Sequence, residues 1–437
     1  MTTITYPLSR IEGHARVVID IHDDEVFRAD FQAMEMRGFS YYVQGVPAEQ
    51  ITVIVPRICG VCSTAHQVAS VKALEDVFGV TPPPLAEEIR EVLLLGQLIQ
   101  NQATSLFIFT MPDRLNASSL FEVSETQKEK ERQFSLAQMA LRVRKIGTDL
   151  ISLAGGQFIH PIKTTIGGVT SGIPRQKADE MIMTIDELLP VAYNLVDTYW
   201  QMSMEMGNRI GSWGDDEPTY YLASTESNHF RLNSKRLRLM CPEGRECQTF
   251  DAHEFESYLQ VEDSDYSYAG ISSFQGNIMR ANSLARINLT TSFGTPKADA
   301  FLKRFVETFG RPAHAIMFFD LCRGIELVHA LEKSRLMLEA DLEHGETEVG
   351  YTPRDGVGYG LVEAPRGPLI HHYEVENGLI KNADFIIPTV HNMLAIRRAL
   401  MVAAKRYVSS DGISSELGRA VGRVVRAFDP CIACATK

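Results

Sequence analysis

The stretch RICGVCSTAH at residues 57–66, together with DPCIAC at residues 429–434, decides how this chain must fold. Each stretch holds a C-x-x-C pair, and the two pairs lie near opposite ends of the 437 residues. Together they supply four thiolates, enough for a closed tetrahedral metal site. A zinc ribbon usually has its pairs about 15–20 residues apart. The spacing alone therefore leaves open a structural zinc, a buried redox metal, or two separate thiol motifs.

The rest of the composition is that of a globular protein, with 45% hydrophobic residues. Its 43 Lys+Arg and 55 Asp+Glu residues give a net charge of −12, which argues against nucleic-acid binding. No apolar run approaches the roughly 18 residues of a membrane helix. Residues 1–8 lack the basic and apolar regions of a secretory signal. We therefore expect a cytoplasmic protein without a membrane span.

The three remaining cysteines do not match any motif. The chain has seven cysteines in all, which is an odd number. Their density is far below that of a disulfide scaffold. We interpret Cys241, Cys247 and Cys322 as structural thiols. His371 and His372 could indicate a metal site, but they flank a predicted hairpin without companion ligands, so we do not assign them to one.

Hydrophobic periodicity predicts a mainly α protein with small β-sheets (α+β), built as a single domain over residues 1–437. Long helices form the predicted core. A metal site shared by both cysteine pairs would be buried there and would bring the two ends of the chain together. The predicted hairpins are His14–Ile21 with Val26–Phe31, and a second through Glu376-Asn377-Gly378. The predicted helices are a stretch from Pro84 to about Leu106, Lys177–Met206, Lys297–Glu343 with a break at Gly310-Arg311-Pro312, and His391–Tyr407.

Further motifs accompany the cysteines. RIEGH stands at residues 10–14, APRG at residues 364–367, and Pro388-Thr389 is followed by Asn392. These motifs, in this order with R-x-C-G-x-C-x-x-x-H and the terminal D-P-C-x-x-C, resemble the large, catalytic subunit of nickel–iron hydrogenases. The resemblance extends from residue 10 to residue 434, which is nearly the whole chain.

The resemblance implies a nickel ion held by the four C-x-x-C sulfurs. Cys59 and Cys431 would be terminal ligands, whereas Cys62 and Cys434 would bridge to an iron that carries CO and two cyanides. The reaction would be reversible heterolytic splitting of H2. Cys431 would accept the proton, and Glu12 matches the family's proton-relay glutamate.

Other site residues are also implied by the resemblance. Arg366 would lie over the metals and polarise H2, and Asp429 would orient that arginine. Pro388 and Thr389 would contact the cyanide ligands, with the Thr389 hydroxyl as a donor. His66 would donate a hydrogen bond to a bridging sulfur.

The sequence departs from the family at a second metal site. Family members usually hold a magnesium ion with a glutamate in an R-G-x-E context and a histidine three residues after the last cysteine. Here these positions are Ser40 and Lys437. A hydroxyl and an ammonium group are poor ligands for a divalent cation. We hypothesise that magnesium is absent and that the Lys437 ammonium replaces it; the alternative is an ion held by water and backbone oxygens.

The resemblance also implies partner subunits. The chain has no further cysteine motif for an electron-transfer chain, so an iron–sulfur small subunit is expected. Flavin and iron–sulfur diaphorase-type subunits would then link H2 to NAD(P) or ferredoxin. Two alternatives remain open: a hydrogenase-derived structural or electron-transfer subunit without H2 activity, which would lack the four cysteines, and a zinc-stabilised binding module.

Overall fold

A computed structural model describes residues 1–121, 127–207, 215, 217–226, 230–410 and 412–436, without the side chains of residues 127 and 128. In this part of the chain the helices are α1 Phe39–Tyr42, α2 Ile51–Ile54, α3 Ser63–Phe78, α4 Pro84–Ala103, α5 Met111–Arg114, α6 Gln127–Gly155, α7 Arg175–Met204, α8 Phe255–Tyr258, α9 Ser283–Leu289, α10 Pro296–Phe309, α11 Phe318–Leu338, α12 Pro388–Tyr407, α13 Leu417–Phe428 and α14 Ile432–Ala435. The strands are β1 Thr2–Pro7, β2 Ala15–His22, β3 Glu25–Ala33, β4 Thr164–Thr165, β5 Gly168–Val169, β6 Tyr220–Ala223, β7 Arg236–Met240, β8 Glu246–Asp251, β9 Leu259–Glu262, β10 Ile271–Phe274, β11 Met279–Arg280, β12 Gly356–Ala364, β13 Gly367–Glu376, β14 Leu379–Ile386, β15 Val408–Ser409 and β16 Gly412–Ile413.

Four long helices form the centre of the molecule. Helix α4 packs against α6 and α11, and α7 packs against the same two helices. At the α4–α6 crossing the backbones touch, because a Cβ atom at Gly147 would lie 2.5 Å from the backbone nitrogen of Gln100. Only glycine allows so close an approach. The long-helix core and the α+β class are confirmed, whereas the assignment of residues 1–437 to a single domain stays a prediction.

One helical stretch has the length and hydropathy of a membrane span. It comprises Pro84–Arg114, which is α4 with its π-helical extension Thr104–Thr110 and α5. However, 83% of its most apolar window is buried inside the protein. The stretch is therefore the central core helix, packed between α6 and α11.

The two predicted hairpins are present. Strands β2 and β3 pair antiparallel around a turn in which Asp23 and Asp24 have positive φ angles of 49° and 63°. Strands β13 and β14 pair around Asn377 and Gly378, which also have positive φ angles. Such two-residue turns match the right-handed twist of the strands they connect. The turn residues therefore specify both hairpins locally.

The sheet β12-β13-β14 lies against α3, directly beside the first cysteine pair. A side chain at Gly358 or Gly360 in β12 would overlap the backbone of α3 at Ala73 and Ala69, respectively. The two glycines thus let helix and strand touch. This contact brings the start of α3, which follows Cys62, close to the β12–β13 turn at Arg366.

The predicted helices are found with shifted ends, and others were missed. Lys177–Met206 corresponds to α7, His391–Tyr407 to α12, and Lys297–Glu343 to α10 and α11 with the break between them. Helix α3 was not predicted because it is buried on nearly all sides, so it lacks the one-sided apolar pattern of a surface helix. The four-stranded sheet β11-β6-β7-β8 was also missed.

The interpretation of Cys241 and Cys247 as thiols was wrong. The structure joins them in a disulfide with a Cα–Cα distance of 5.7 Å, which closes the turn between β7 and β8. The antiparallel register of these strands places the two residues next to each other, a relationship that cysteine spacing alone did not reveal. Cys322 is a buried free thiol in α11, as predicted.

Candidate metal centre

The four predicted metal ligands come together in one buried cluster. The sulfur atoms of Cys59, Cys62, Cys431 and Cys434 all lie within 4.8 Å of one another. Cys431 Sγ is 3.4 Å from Cys59 Sγ and 2.9 Å from Cys434 Sγ, and Cys62 Sγ is also 2.9 Å from Cys434 Sγ. Each of the four is a free cysteine. Four convergent thiols, buried without disulfide pairing, form a donor set for a soft transition metal.

The first pair is held by the start of α3 and by a side chain from α4. Cys62 is the residue that precedes the first turn of α3. Gln97 accepts a hydrogen bond from the backbone N–H of Ala65 at 2.9 Å and donates one to the carbonyl of Val61 at 3.1 Å. A single buried amide therefore fixes the loop that connects the two cysteines.

The second pair follows α13 through a sharp change of backbone direction. Asp429 has a positive φ angle of 49°, an uncommon conformation for a residue other than glycine. The backbone N–H of Cys431 then donates to the Thr389 hydroxyl oxygen at 2.9 Å. Because Thr389 accepts this bond, its own hydroxyl proton is left to donate elsewhere.

The N-terminal motif reaches the cluster through a backbone contact. Glu12 and Cys431 form an isolated parallel bridge, and the N–H of Ile432 donates to the Glu12 carbonyl at 3.3 Å. Gly13 has a φ angle of 79°, and a Cβ atom there would lie 2.6 Å from Ile432 Cβ. The glycine of the motif is thus required for the two ends of the chain to meet.

Arg10 of the same motif has a structural contact. Its guanidinium donates to the Phe109 carbonyl at 2.5 Å and to Asp113 at 2.7 Å. Asp113 also accepts two hydrogen bonds from Arg426 in α13. One carboxylate in α5 therefore binds both the N-terminal segment and the helix that leads into the second cysteine pair.

The Glu12 carboxylate lies against the cluster. Its Oε2 atom is 3.2 Å from Cys431 Sγ and accepts a hydrogen bond from the Ala433 N–H at 3.0 Å. Burial, followed by the charge of Cys59, raises the pKa of this carboxyl above its ordinary value. A carboxyl group with a raised pKa, in contact with a thiol, is placed to exchange a proton with that sulfur.

Arg366 occupies the β12–β13 turn beside the cluster. Its Nε donates to the Asp429 carbonyl at 2.6 Å and its Nη2 to the Asp429 carboxylate at 3.1 Å. Burial favours a lower pKa for this guanidinium, but the charges of Asp429 and the cysteines outweigh it and raise the pKa. Asn101 donates to the other Asp429 oxygen at 3.1 Å. The Nη1 atom of Arg366 is buried and has no protein partner among the described residues.

A small cavity adjoins the cluster, and three of the four cysteines, Cys62, Cys431 and Cys434, line it. Its wall also includes Arg366, Pro388 and Thr389, whereas Cys59 is not part of it. Arg366, Pro388 and Thr389 therefore surround one space beside the cluster.

His66 lies beside the cluster, and its partner is His371, which was not predicted to be a site residue. His66 Nε2 is 3.4 Å from Cys434 Sγ, and its Nδ1 is 3.0 Å from Nε2 of His371. His371 was interpreted as unrelated to a metal site, but it is fully buried in this network. The alternation of side chains between the two faces of β13 could have indicated that His371 is buried, because it shares a face with the apolar Leu369. His372, on the other face, stacks on Tyr359.

Arg286 braces the turn that carries Arg366. This fully buried guanidinium pairs with Glu326 at 2.6 Å and with Glu363 at 2.8 Å, and it donates to the carbonyls of Ala364 and Pro365 at 3.2 and 2.8 Å. The last two residues directly precede Arg366. The buried ion pairs and the position of the turn that carries Arg366 therefore depend on the same side chain.

Replacing Arg286 with leucine is expected to lower the free energy of unfolding by about 3–5 kcal/mol, because it leaves two buried carboxylates without their partner. Denaturant unfolding measures the effect. The control is Arg142→Leu, which removes an exposed arginine paired with Glu187 and is expected to cost about 1 kcal/mol or less. Equal costs for both variants would contradict the role of the buried network.

The two residues at the positions of the family's magnesium ligands are only partly described. Lys437 lies outside the described residues. Ser40 lies in α1, and its buried hydroxyl oxygen makes no hydrogen bond within the described part of the chain. The Arg37 N–H donates to the carbonyl of Thr436 at 2.9 Å, so the end of the described chain adjoins the segment that carries Ser40.

Comparison with known proteins gives concordant matches over the whole chain. A family description, nickel-dependent hydrogenase, matches residues 37–138 and 233–437, and a second, HoxL-like, matches residues 3–36. The vhu subunit of the F420-non-reducing hydrogenase from Methanocaldococcus jannaschii is 32% identical over 408 residues, which are 91% of this chain and 97% of that relative.

Two further matches are similar in extent. The NAD-reducing hydrogenase HoxS subunit beta of Cupriavidus necator is 28% identical over 465 residues and covers 98% of this chain and 93% of the relative. A crystal structure of an NAD+-reducing NiFe-hydrogenase in the H2-reduced state aligns with a TM-score of 0.92 at 28% identity, over 100% of both chains.

Proposed function

The chain belongs to the nickel-dependent hydrogenase family as a large, catalytic subunit, and from this premise we propose how its own residues carry out the reaction. The observation that carries the proposal is the convergence of four buried thiols from the two ends of the chain. Four soft thiolates fit nickel and iron, and a small cavity lies beside three of them, at Cys62, Cys431 and Cys434. When bound, the Ni-Fe centre with CO and cyanide ligands supplies the site where H2 binds and is split and where its electrons are collected.

The proton leaves through Cys431 and Glu12. The Cys431 sulfur would be one of the residues that hold the metal and would accept the proton, and Glu12 would take it from the sulfur over their 3.2 Å contact. The Ala433 N–H holds the receiving oxygen in place. The raised pKa of Glu12 brings its proton affinity closer to that of the sulfur, which favours transfer in both directions.

Arg366 places a fixed positive charge beside the reacting atoms. Asp429 holds two of its nitrogens, so the guanidinium cannot turn away, and the free Nη1 atom remains for H2 or a cyanide ligand. A preoriented charge in a dry site stabilises developing charge without reorganisation. Asp429 acts as a positioning residue here.

Pro388, Thr389 and His66 surround the iron side of the site. Thr389 accepts from the Cys431 N–H, so its hydroxyl proton is available for a cyanide nitrogen. Pro388 closes the cavity wall with an apolar surface. His66 would donate from Nε2 to the sulfur of Cys434, which lies 3.4 Å away.

Magnesium is absent in this proposal, and the Lys437 ammonium supplies the positive charge. Metal analysis of the chelator-treated protein is expected to find background magnesium, because Ser40 and Lys437 lack the carboxylate and imidazole donors of a cation site. The double variant Ser40→Glu/Lys437→His, which restores both donors, is expected to gain the ion. One magnesium per chain in the unmodified protein would contradict this.

Electrons pass to an iron–sulfur small subunit and then to NAD(P) or ferredoxin in the cytoplasm. All seven cysteines are accounted for by the cluster, the disulfide and Cys322, so this chain offers no further thiol set for an iron–sulfur cluster. The NAD-reducing relatives support a flavin-containing partner, while the F420-non-reducing relative leaves ferredoxin open.

Infrared spectroscopy of the purified complex tests the proposal. We expect bands of CO and cyanide bound to iron, one nickel per chain with iron in excess because the small subunit carries iron–sulfur clusters, and H2-dependent reduction of NAD(P) or ferredoxin. A protein that contains zinc, without these bands and without H2 turnover, would instead be the zinc-stabilised alternative.

A further inference from the structure

A chain of buried polar groups leads from the cluster in a direction that the proposed proton path does not use. It begins at Cys434 Sγ with His66 Nε2 at 3.4 Å and continues from His66 Nδ1 to His371 Nε2 at 3.0 Å. His371 Nδ1 is 2.7 Å from the Tyr373 hydroxyl, which is 2.9 Å from the Ser70 hydroxyl. All five side chains are buried. None of the five motifs includes His371 or Tyr373.

Packing holds the two imidazole rings in fixed orientations. The ring centroids of His66 and His371 are 5.2 Å apart, and His371 also contacts Phe385 at 4.9 Å and Tyr373 at 5.7 Å. Burial lowers the pKa of His371, and His66 beside it is likewise fully buried. Each ring is therefore neutral and carries one proton, on one of its two nitrogens.

The sulfur determines which nitrogen must carry the proton. A metal-bound thiolate only accepts hydrogen bonds, so His66 Nε2 must be an N–H to interact favourably with Cys434. The Nδ1 atom of His66 is then a lone pair that needs a donor. The only nitrogen within hydrogen-bond distance that the structure shows is His371 Nε2, which must therefore carry a proton.

The same reasoning extends one step further. With its proton on Nε2, His371 has a lone pair on Nδ1, which faces the Tyr373 hydroxyl at 2.7 Å. Tyr373 has one proton and two acceptors within reach: in this structure its hydroxyl donates to Ser70 Oγ, and His371 Nδ1 is the alternative acceptor. Burial raises the pKa of Tyr373, so the hydroxyl keeps its proton. Its orientation decides whether His371 can donate to His66.

We propose that His371 and Tyr373 are positioning residues that hold His66 in the tautomer whose Nε2–H donates to Cys434. The inference rests on the proposed function, because it requires a thiolate in the bridging position. In the loaded cluster Tyr373 donates to His371, His371 donates to His66, and His66 donates to the sulfur. Each group stays neutral, so the arrangement moves no net charge. Its effect is to withdraw electron density from the bridging sulfur.

The infrared CO band of the purified complex measures this effect. A weaker hydrogen bond to the sulfur leaves more electron density on the iron, which weakens the CO bond and shifts its band to lower wavenumber. We expect the largest shift for His371→Leu and a smaller shift in the same direction for Tyr373→Phe. In His371→Gln the amide can still donate to His66, so its band is expected close to that of the unmodified complex.

The matched control is Tyr221→Phe. Tyr221 is also fully buried, and its hydroxyl contacts His314 Nδ1 at 2.8 Å and the Ala313 carbonyl at 3.0 Å, so the substitution removes the same group from a similar environment. Its CO band is expected to stay in place. Equal shifts of the CO band for His371→Leu and His371→Gln would mean that His371 only fills space, and would overturn the proposal. An unshifted band in Tyr373→Phe would overturn the role of Tyr373.

A second readout does not depend on the iron. Ring-nitrogen NMR of the zinc-loaded chain, labelled with 15N-histidine and assigned with His66→Gln, reports the tautomer directly. We expect His66 to be protonated on Nε2, and protonation on Nδ1 would overturn the inference. If the unmodified complex lacked CO and cyanide bands, the proposed function would fail, while the NMR result would still decide the tautomer.

Discussion

Replacing Cys431 with serine is expected to reduce the nickel content of the purified protein to background and to abolish H2 turnover. Cys431 contacts each of the other three cysteine sulfurs in the cluster, at distances between 2.9 and 3.9 Å. A serine oxygen is a hard donor that remains protonated, whereas a soft metal requires the thiolate. The substitution therefore removes both a ligand and the proposed proton acceptor.

The matched control for this variant is Cys322→Ser, which makes the same atomic change at a buried cysteine outside the cluster. Nickel content is expected to stay stoichiometric there, with some loss of stability from a hydroxyl in an apolar site. Elemental analysis and hydrogen-uptake assays compare the two variants. A Cys431→Ser protein with full nickel content would contradict the assignment of Cys431 as a ligand.

Replacing Glu12 with glutamine is expected to lower H2 turnover by about 10²–10⁴-fold, the usual contribution of a positioned acid–base group. Glutamine retains the volume and can still accept the Ala433 hydrogen bond, but it cannot carry a proton. Metal content and the infrared bands are therefore expected to remain as in the unmodified complex, which separates the loss of the relay from a loss of the site.

A neighbouring carboxylate provides the control. Glu35 is paired with His14, another residue of the N-terminal motif, yet it has no contact with the cluster among those the structure shows. Glu35→Gln is expected to retain turnover and H/D exchange. If Glu12→Gln also retained both, the relay role of Glu12 would have to be abandoned.

The metal ligands were predictable because their chemistry is local. Two C-x-x-C pairs indicate four thiolates whatever lies between them. The surrounding motifs then identified the family that the sequence resembles. The hairpin turns were likewise predictable, since Asn377-Gly378 selects a turn with positive φ angles. Apolar periodicity predicted the helices α4, α7, α10, α11 and α12, but not the long helix α6.

Residues that act through distant contacts could not be predicted in this way. His371 looked like an ordinary histidine because its partner His66 is 305 positions away in the chain. The disulfide between Cys241 and Cys247 depends on the register of β7 and β8, which no motif encodes. Helix α3 was missed because burial on nearly all sides removes the pattern that identifies a surface helix.

The sequence by itself determined the chemical inventory of this protein: four thiolates, a glutamate and an arginine in recognisable contexts, and the turns and long helices that carry them. These signals are local, because thiol chemistry, backbone torsion and helical periodicity each depend on a few neighbouring residues. Only the tertiary structure decided which groups meet. The approach of Gly13 to Ile432, the ion pairs of Arg286, and the chain from Cys434 to Tyr373 each join segments that are remote in sequence. Their physical basis is the packing of the folded core, which brings those segments within contact distance.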